Sequence, residues 1–179
     1  GFLAVSLTDC VQGLVMAAAA VVVPLAAVLA VGGMNGLAEA MGSWPSDMRS
    51  PWAKPGAPSI LGFVVGTLGI GLGYPGQPHV VNRFMACRDE SAVARGRVVA
   101  MTWAALVYPG MILAGWCGRI LQPGLADPEG VLIEVAGKAL PPLAAGLVIA
   151  AVMSAILSTA DSQLLVCGGA VSNDLGGTD

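Results

Sequence analysis

Residues 69 to 83 read Gly-Ile-Gly-Leu-Gly-Tyr-Pro-Gly-Gln-Pro-His-Val-Val-Asn-Arg, so four glycines, two prolines and the chain's only histidine interrupt an otherwise apolar stretch. Each proline removes a backbone donor, and its ring clashes with the carbonyl four residues earlier. The glycines weaken the turns on either side. A helix through this segment has to break, and we expect the interruption between about Gly69 and Pro78, with Tyr74 facing the protein interior. The surroundings make that break consequential. Hydrophobic residues make up 56% of the 179 positions, charged residues only 11%, and the mean hydropathy is +0.79. Soluble domains carry about 25% charged residues, so the chain reads as an integral membrane protein. In lipid a broken helix is tolerated only where it is buried in protein or lines a watery cavity.

Four stretches supply the roughly 20 apolar residues that a spanning helix needs. The pattern predicts an all-α bundle with helices at about 8–31, 59–81, 98–121 and 140–169, forming one transmembrane domain over 1–179. The connection between the second and third carries Arg83, Arg88, Arg95 and Arg97, against Arg49 and Lys54 in the first loop and Arg119 and Lys138 in the last. By the positive-inside tendency the four-arginine connection is cytoplasmic and the other two loops are external. Gly1 opens directly into Phe-Leu-Ala-Val with no signal-peptide pattern, and the far end stops at Gly-Gly-Thr-Asp. We expect an internal segment of a longer polytopic protein.

A net charge of −3, with basic residues at helix ends instead of in a stripe, leaves no nucleic-acid footprint. Cys10, Cys87, Cys117 and Cys167 lack CxxC spacing and read as packing residues, not as a disulfide framework. The polar residues inside the last helix are more informative. At 100° per residue Ala155, Ser158, Thr159 and Ser162 share a face, so hydroxyls and a backbone carbonyl point together. Such oxygens suit a hard cation. The same hydroxyls can instead bond back to the carbonyl one turn earlier or join helices. Asp161 is an ionisable residue in an apolar segment, which should be paired, protonated or facing water and is otherwise a functional candidate. Asp9, after Thr8, reads first as an N-terminal cap.

Three separated motifs carry a resemblance. Gly71-Leu-Gly-Tyr74-Pro-Gly-Gln77-Pro78-His79-Val-Val-Asn-Arg83-Phe-Met-Ala resembles the broken-helix signature of the sodium/solute symporter family, in particular its sodium/proline branch. Ser158-Thr159-Ala-Asp-Ser-Gln-Leu-Leu-Val-Cys-Gly-Gly-Ala, followed by Asn173-Asp174-Leu175, is similar to that family's later sodium-site helix, and the opening Gly-Phe-Leu-Ala-Val-Ser-Leu-Thr8-Asp9-Cys-Val-Gln12-Gly also matches. The resemblance implies a LeuT-like core of two inverted five-helix repeats. It implies sodium as the coupling ion, held by the Ala155 carbonyl and the Ser158 and Thr159 hydroxyls, with further ligands from an early helix outside this chain. It places Tyr74, Gln77 and Pro78 beside a small organic solute, and Asp9 near the cytoplasmic sodium path. Asp161 is a second candidate for ion passage or coupling. Ile70 stands where the proline branch has tryptophan, so the solute is left open among proline and other amino acids. The function implied is sodium-coupled transport by alternating access in a cell membrane, in a bacterium the inner one. A symporter-like sensor domain of a signalling kinase would share these helices, and sequence beyond this chain separates the two.

Overall fold

The computed structural model describes residues 2–49 and 57–172. Lys54 and the Asn173-Asp174-Leu175 motif lie outside the described residues. All regular structure among the described residues is helical: α1 Phe2–Ala30, α2 Gly33–Gly42, α3 Ser46–Arg49, α4 Ala57–Gly73, α5 Pro78–Met85, α6 Glu90–Leu121, α7 Val131–Ala139 and α8 Pro142–Ala170, with 3-10 turns at Tyr74–Gly76 and Pro128–Gly130. Three of these, α1, α6 and α8, are long and apolar enough to cross a membrane, and α4 with α5 forms a fourth candidate bent by 55° at its break. Helices occupy each of the four expected stretches, with shifted ends.

Helix α1 starts six residues before the expected boundary. Thr8 is inside the helix, its hydroxyl donating back to the Ala4 and Val5 carbonyls at 3.1 and 2.9 Å, and Ser6 does the same to Phe2 at 2.9 Å. The apolar run from Phe2 continues the helix, so Asp9 is not an N-terminal cap. Helix α6 also starts early, at Glu90, because Asp89 caps it by accepting from the Ala92 amide at 2.7 Å and the Ser91 hydroxyl at 2.6 Å. These bonds, the serine's first, hold the Asp89 carboxyl below the usual carboxylate range. The uncharged part of α6, Val98 to Gly118, is about 31 Å long at about 1.5 Å per residue, which matches the bilayer's hydrocarbon core of roughly 30 Å. Arg97 and Arg119 flank it.

Three further short helices, α2, α3 and α7, occupy the loops expected to be external. The chain reverses after α1 through Gly32 and Gly33, whose φ values of 90° and 77° are accessible to glycine at little cost. Helix α2 then lays Leu37 against α1 and α6, and α7 lays Val135 and Ala136 on the same cluster with Val23, Ala27, Ala114, Cys117 and Val148. Lys138 of α7 donates to the Leu121 carbonyl at 2.9 Å and to the Gln122 side chain, covering the end of α6. The Arg119 guanidinium lies 5.8 Å from the Trp44 ring. The apolar core therefore gathers at the end of the bundle where α2 and α7 lie. Helix α8 runs back antiparallel to α1, bringing Ser162 to the level of Asp9 at the other end.

Of the four cysteines, only Cys117 packs into this core; Cys10, Cys87 and Cys167 are exposed. The packing role expected for those three is not seen within this chain: Cys10 on α1 and Cys167 on α8 lie on exposed helix faces, and Cys87 lies in the connection after α5.

Candidate functional site

The break in the fourth candidate span is a local consequence of its sequence. Helix α4 persists through Gly69 and Gly71 to Gly73, and the chain then tightens into the 3-10 turn Tyr74–Gly76. Gln77 is extended, with φ −72° and ψ 131°, as expected for a residue before proline. Pro78 opens α5, where its missing amide costs nothing. The Gln77 carbonyl accepts from the Val80 and Val81 amides at 2.9 and 3.0 Å, and the Gln77 amide donates to the Tyr74 carbonyl at 3.2 Å. The interruption thus spans residues 74 to 77, inside the expected window and shorter than it.

Tyr74 does not face an interior in this chain: it is 56% exposed. Every side chain from Leu61 to Gln77 is exposed as well, Ile70 at 75% among them, because α4 stands clear of the core formed by α1, α6, α7 and α8. Pro78 is exposed, and His79 is half-buried. The structure therefore keeps Tyr74, Gln77 and Pro78 together at the break without enclosing them.

On α8 the hydroxyls form a ladder. Ser158 and Thr159 both donate to the Ala155 carbonyl, at 3.1 and 3.2 Å, and Ser162 donates to the Ser158 carbonyl at 2.8 Å. This is the back-bonding alternative, and it does not exclude a cation. A hydroxyl that donates its proton keeps its lone pairs for another partner. Ala155 is differently placed, since its carbonyl also takes the helix's own amide bond. Asp161, half-buried one residue before Ser162, has no hydrogen-bond or ion-pair partner among the described residues.

One polar contact joins residues that are far apart in sequence. Arg83 Nη2 on α5 meets Asp9 Oδ2 on α1 at 2.6 Å and donates to Ser162 Oγ on α8 at 2.5 Å. Ser162 is only 5% exposed, and the Asp9 side chain 16%, against 53% for Arg83. His79 and Asn82 line the same crevice. Two buried oxygens of α1, Asp9 Oδ1 and Gln12 Oε1, have no hydrogen-bond partner among the described residues. By sequence Arg83 is one of four loop arginines and carries no other role. The available signal was the carboxylate in a span, which needs a cation nearby. A second, apolar cavity of about 150 Å³ lies among α1, α6 and α8, lined by Met16, Val23, Trp103, Met111, Val148 and Ala155. Its wall therefore ends at the first residue of the hydroxyl ladder.

The broken helix, the α8 hydroxyls and the buried carboxylate can be set beside known proteins. The model of the sodium:solute symporter family matches residues 1–176. The high-affinity proline transporter PutP of Bacillus subtilis is 37% identical over 98% of this chain. The osmoregulated proline transporter OpuE of the same organism is 36% identical and the sodium/proline symporter of Escherichia coli 34% identical, each over 98% of the chain. The chain spans 37%, 36% and 36% of the length of these relatives. No solved structure matches it. Matched along almost its full length, with three membrane-length apolar helices, the chain is a multi-pass cell-membrane protein and belongs to the sodium:solute symporter family.

Proposed function

We propose that this chain is part of the core of a sodium-coupled symporter that moves a small organic solute, proline or another amino acid, by alternating access. The reading rests on family membership and on one observation above all, the break at residues 74 to 77 within a membrane-length apolar segment. Unwound backbone at membrane depth is how many transporters offer polar groups to solute and ion. Tyr74, Gln77 and Pro78 are the proposed solute contacts, and the LeuT-like inverted-repeat core is the proposed frame. The faces of α4 exposed in this chain would then pack against helices from the rest of the transporter.

Sodium would bind α8 through the Ser158 and Thr159 hydroxyls and the Ala155 carbonyl, with remaining oxygens from a helix outside this chain. Asp9 and Asp161 would lie on or near the ion's path. Sodium and solute can drive the cycle only if each prefers particular states of the protein.

The test is uptake by the full-length protein in proteoliposomes, with sodium titrated at fixed solute and with proline, pantothenate and other amino acids compared. Ser158→Ala and Thr159→Ala should each raise the sodium concentration for half-maximal uptake by about tenfold, the effect of losing roughly 1.4 kcal/mol of binding. If the hydroxyls only bond back to their own helix, both variants lose packing stability alone and keep the parent's sodium curve. That outcome removes sodium from α8.

A further inference from the structure

Helix α5 has no buried residue and touches little besides the 3-10 turn before it and α8. The break leaves it a separate eight-residue rod. Besides its packing on α8, its side-chain hydrogen bonds to the bundle come from one nitrogen, Arg83 Nη2, shared between a carboxylate on α1 and a hydroxyl on α8. Asp9 is the only charged residue between Phe2 and Ala30, and Arg83 is its only ion-pair partner among the described residues. An ionised carboxylate in a span has to be paired or reach water, so α5 cannot leave without a cost at Asp9. The exposed face of Arg83 weakens that argument at a water surface, where ion pairs are worth little. The balance is set by the other partners, since Ser162 is 5% exposed and the Asp9 side chain 16%.

We propose that Arg83 is a positioning residue: it latches α5, the half-helix that follows the break, onto α1 and α8 through Asp9 and Ser162, and release of the latch frees α5 to swing about residues 74 to 77. The proposal deepens the transporter reading and rests on it for the consequence, which is that the latched state closes the cytoplasmic side of the break. The ladder continues the linkage. Ser162 accepts from Arg83 while donating to the Ser158 carbonyl, and the Ser158 hydroxyl donates to the Ala155 carbonyl. The half-helix is thus joined by consecutive hydrogen bonds to the proposed sodium face.

The experiment measures position and needs no transport. In the full-length protein every cysteine except Cys10 and Cys87 is replaced by serine, those two exposed positions on α1 and just beyond α5 are spin-labelled, and their separation is read by double electron–electron resonance. The parent should give one narrow short-distance population. Asp9→Asn and Arg83→Gln should each shift the ratio of short to long distances by about fivefold or more, the lower end of ordinary coupling between sites. The exchanged pair, Asp9→Arg with Arg83→Asp, should restore the narrow population. Asp9→Asn is nearly isosteric and guards against a variant that fails to fold. Distance distributions in both single variants that match the parent's would overturn the latch, as would an exchanged pair no better than the singles. Intact latch behaviour in a protein that moves no solute would instead count against the transporter reading alone.

Discussion

Gly110 of α6 is buried close against the backbone of α1, and this approach can be tested by adding a single methyl group. Pro24 inside α1 cannot donate to the Ala20 carbonyl, which leaves that oxygen turned outward. A Cβ on Gly110 would lie 2.8 Å from this oxygen and 3.1 Å from the Pro24 ring. Ordinary contact begins near 3.4 Å, so α1 and α6 would have to separate by about 0.6 Å, and a gap of 0.5–1 Å forfeits roughly a quarter to a half of each dispersion contact across it. Overpacking of this kind costs about 1–3 kcal/mol. Replacing glycine in a helix returns about 0.5–1 kcal/mol through lower backbone entropy. Gly110→Ala should therefore destabilise the protein modestly, and Gly110→Val, with two more methyl groups against the same backbone, by the fuller 1–3 kcal/mol. The assay is reversible unfolding of the full-length protein from mild detergent into dodecyl sulfate, followed by tryptophan fluorescence. Two variants at least as stable as the parent would refute the close approach and the role assigned to Pro24.

Two other outcomes are expected. Tyr74→Ala should weaken solute uptake while leaving sodium binding nearly unchanged, because the ring lies at the break and the proposed cation oxygens lie on α8; equal solute titration curves for variant and parent would count against it. The lowered pKa of Asp89 means its cap contributes fully above the ordinary carboxylate value of 3.8 and is lost as pH falls through the still lower folded value. Amide exchange in the first turn of α6 should accordingly be faster in Asp89→Ala than in the parent at neutral pH, with the difference vanishing in acid well below 3.8; a difference that persists there would show that the charge is not what stabilises the turn.

What could be read from the sequence is what the chain decides locally. Pro75 and Pro78 break a helix whatever surrounds them, and 55° of bend follows where the sequence puts it. The positions of the long apolar helices follow from apolar length alone. Helix starts were less legible, since Thr8-Asp9 has the composition of a cap and only the preceding Phe2-Leu-Ala-Val shows that the helix is already running. Helices α2 and α7, of 10 and 9 residues, are too short to be stable by propensity and exist through the burial of Leu37 and Val135. The pairing of Asp9 with Arg83 joins positions 74 apart, and no local pattern announces such a contact. The exposure of Tyr74 is a tertiary fact of the same kind, set by which helices stand beside α4.

The α8 ladder makes the three proposed sodium ligands unequal. Ser158 and Thr159 each spend their one proton on the Ala155 carbonyl, and a donating hydroxyl still presents lone pairs to a cation. The Ala155 carbonyl has two lone pairs and three donors, counting the helix amide. A cation approaching it competes with at least one of those bonds, whereas at the hydroxyls it meets free electron pairs with their protons already directed away. Sodium at this face would therefore leave the hydroxyl oxygens in place and shift the ladder at the carbonyl, lengthening a bond from Ser158 or Thr159. Ser158 is the residue at which that change would be felt furthest, because its own carbonyl accepts from Ser162 and Ser162 accepts from Arg83. A cation drawn to the upper end of the ladder thus acts on the same chain of bonds that holds α5 at the lower end.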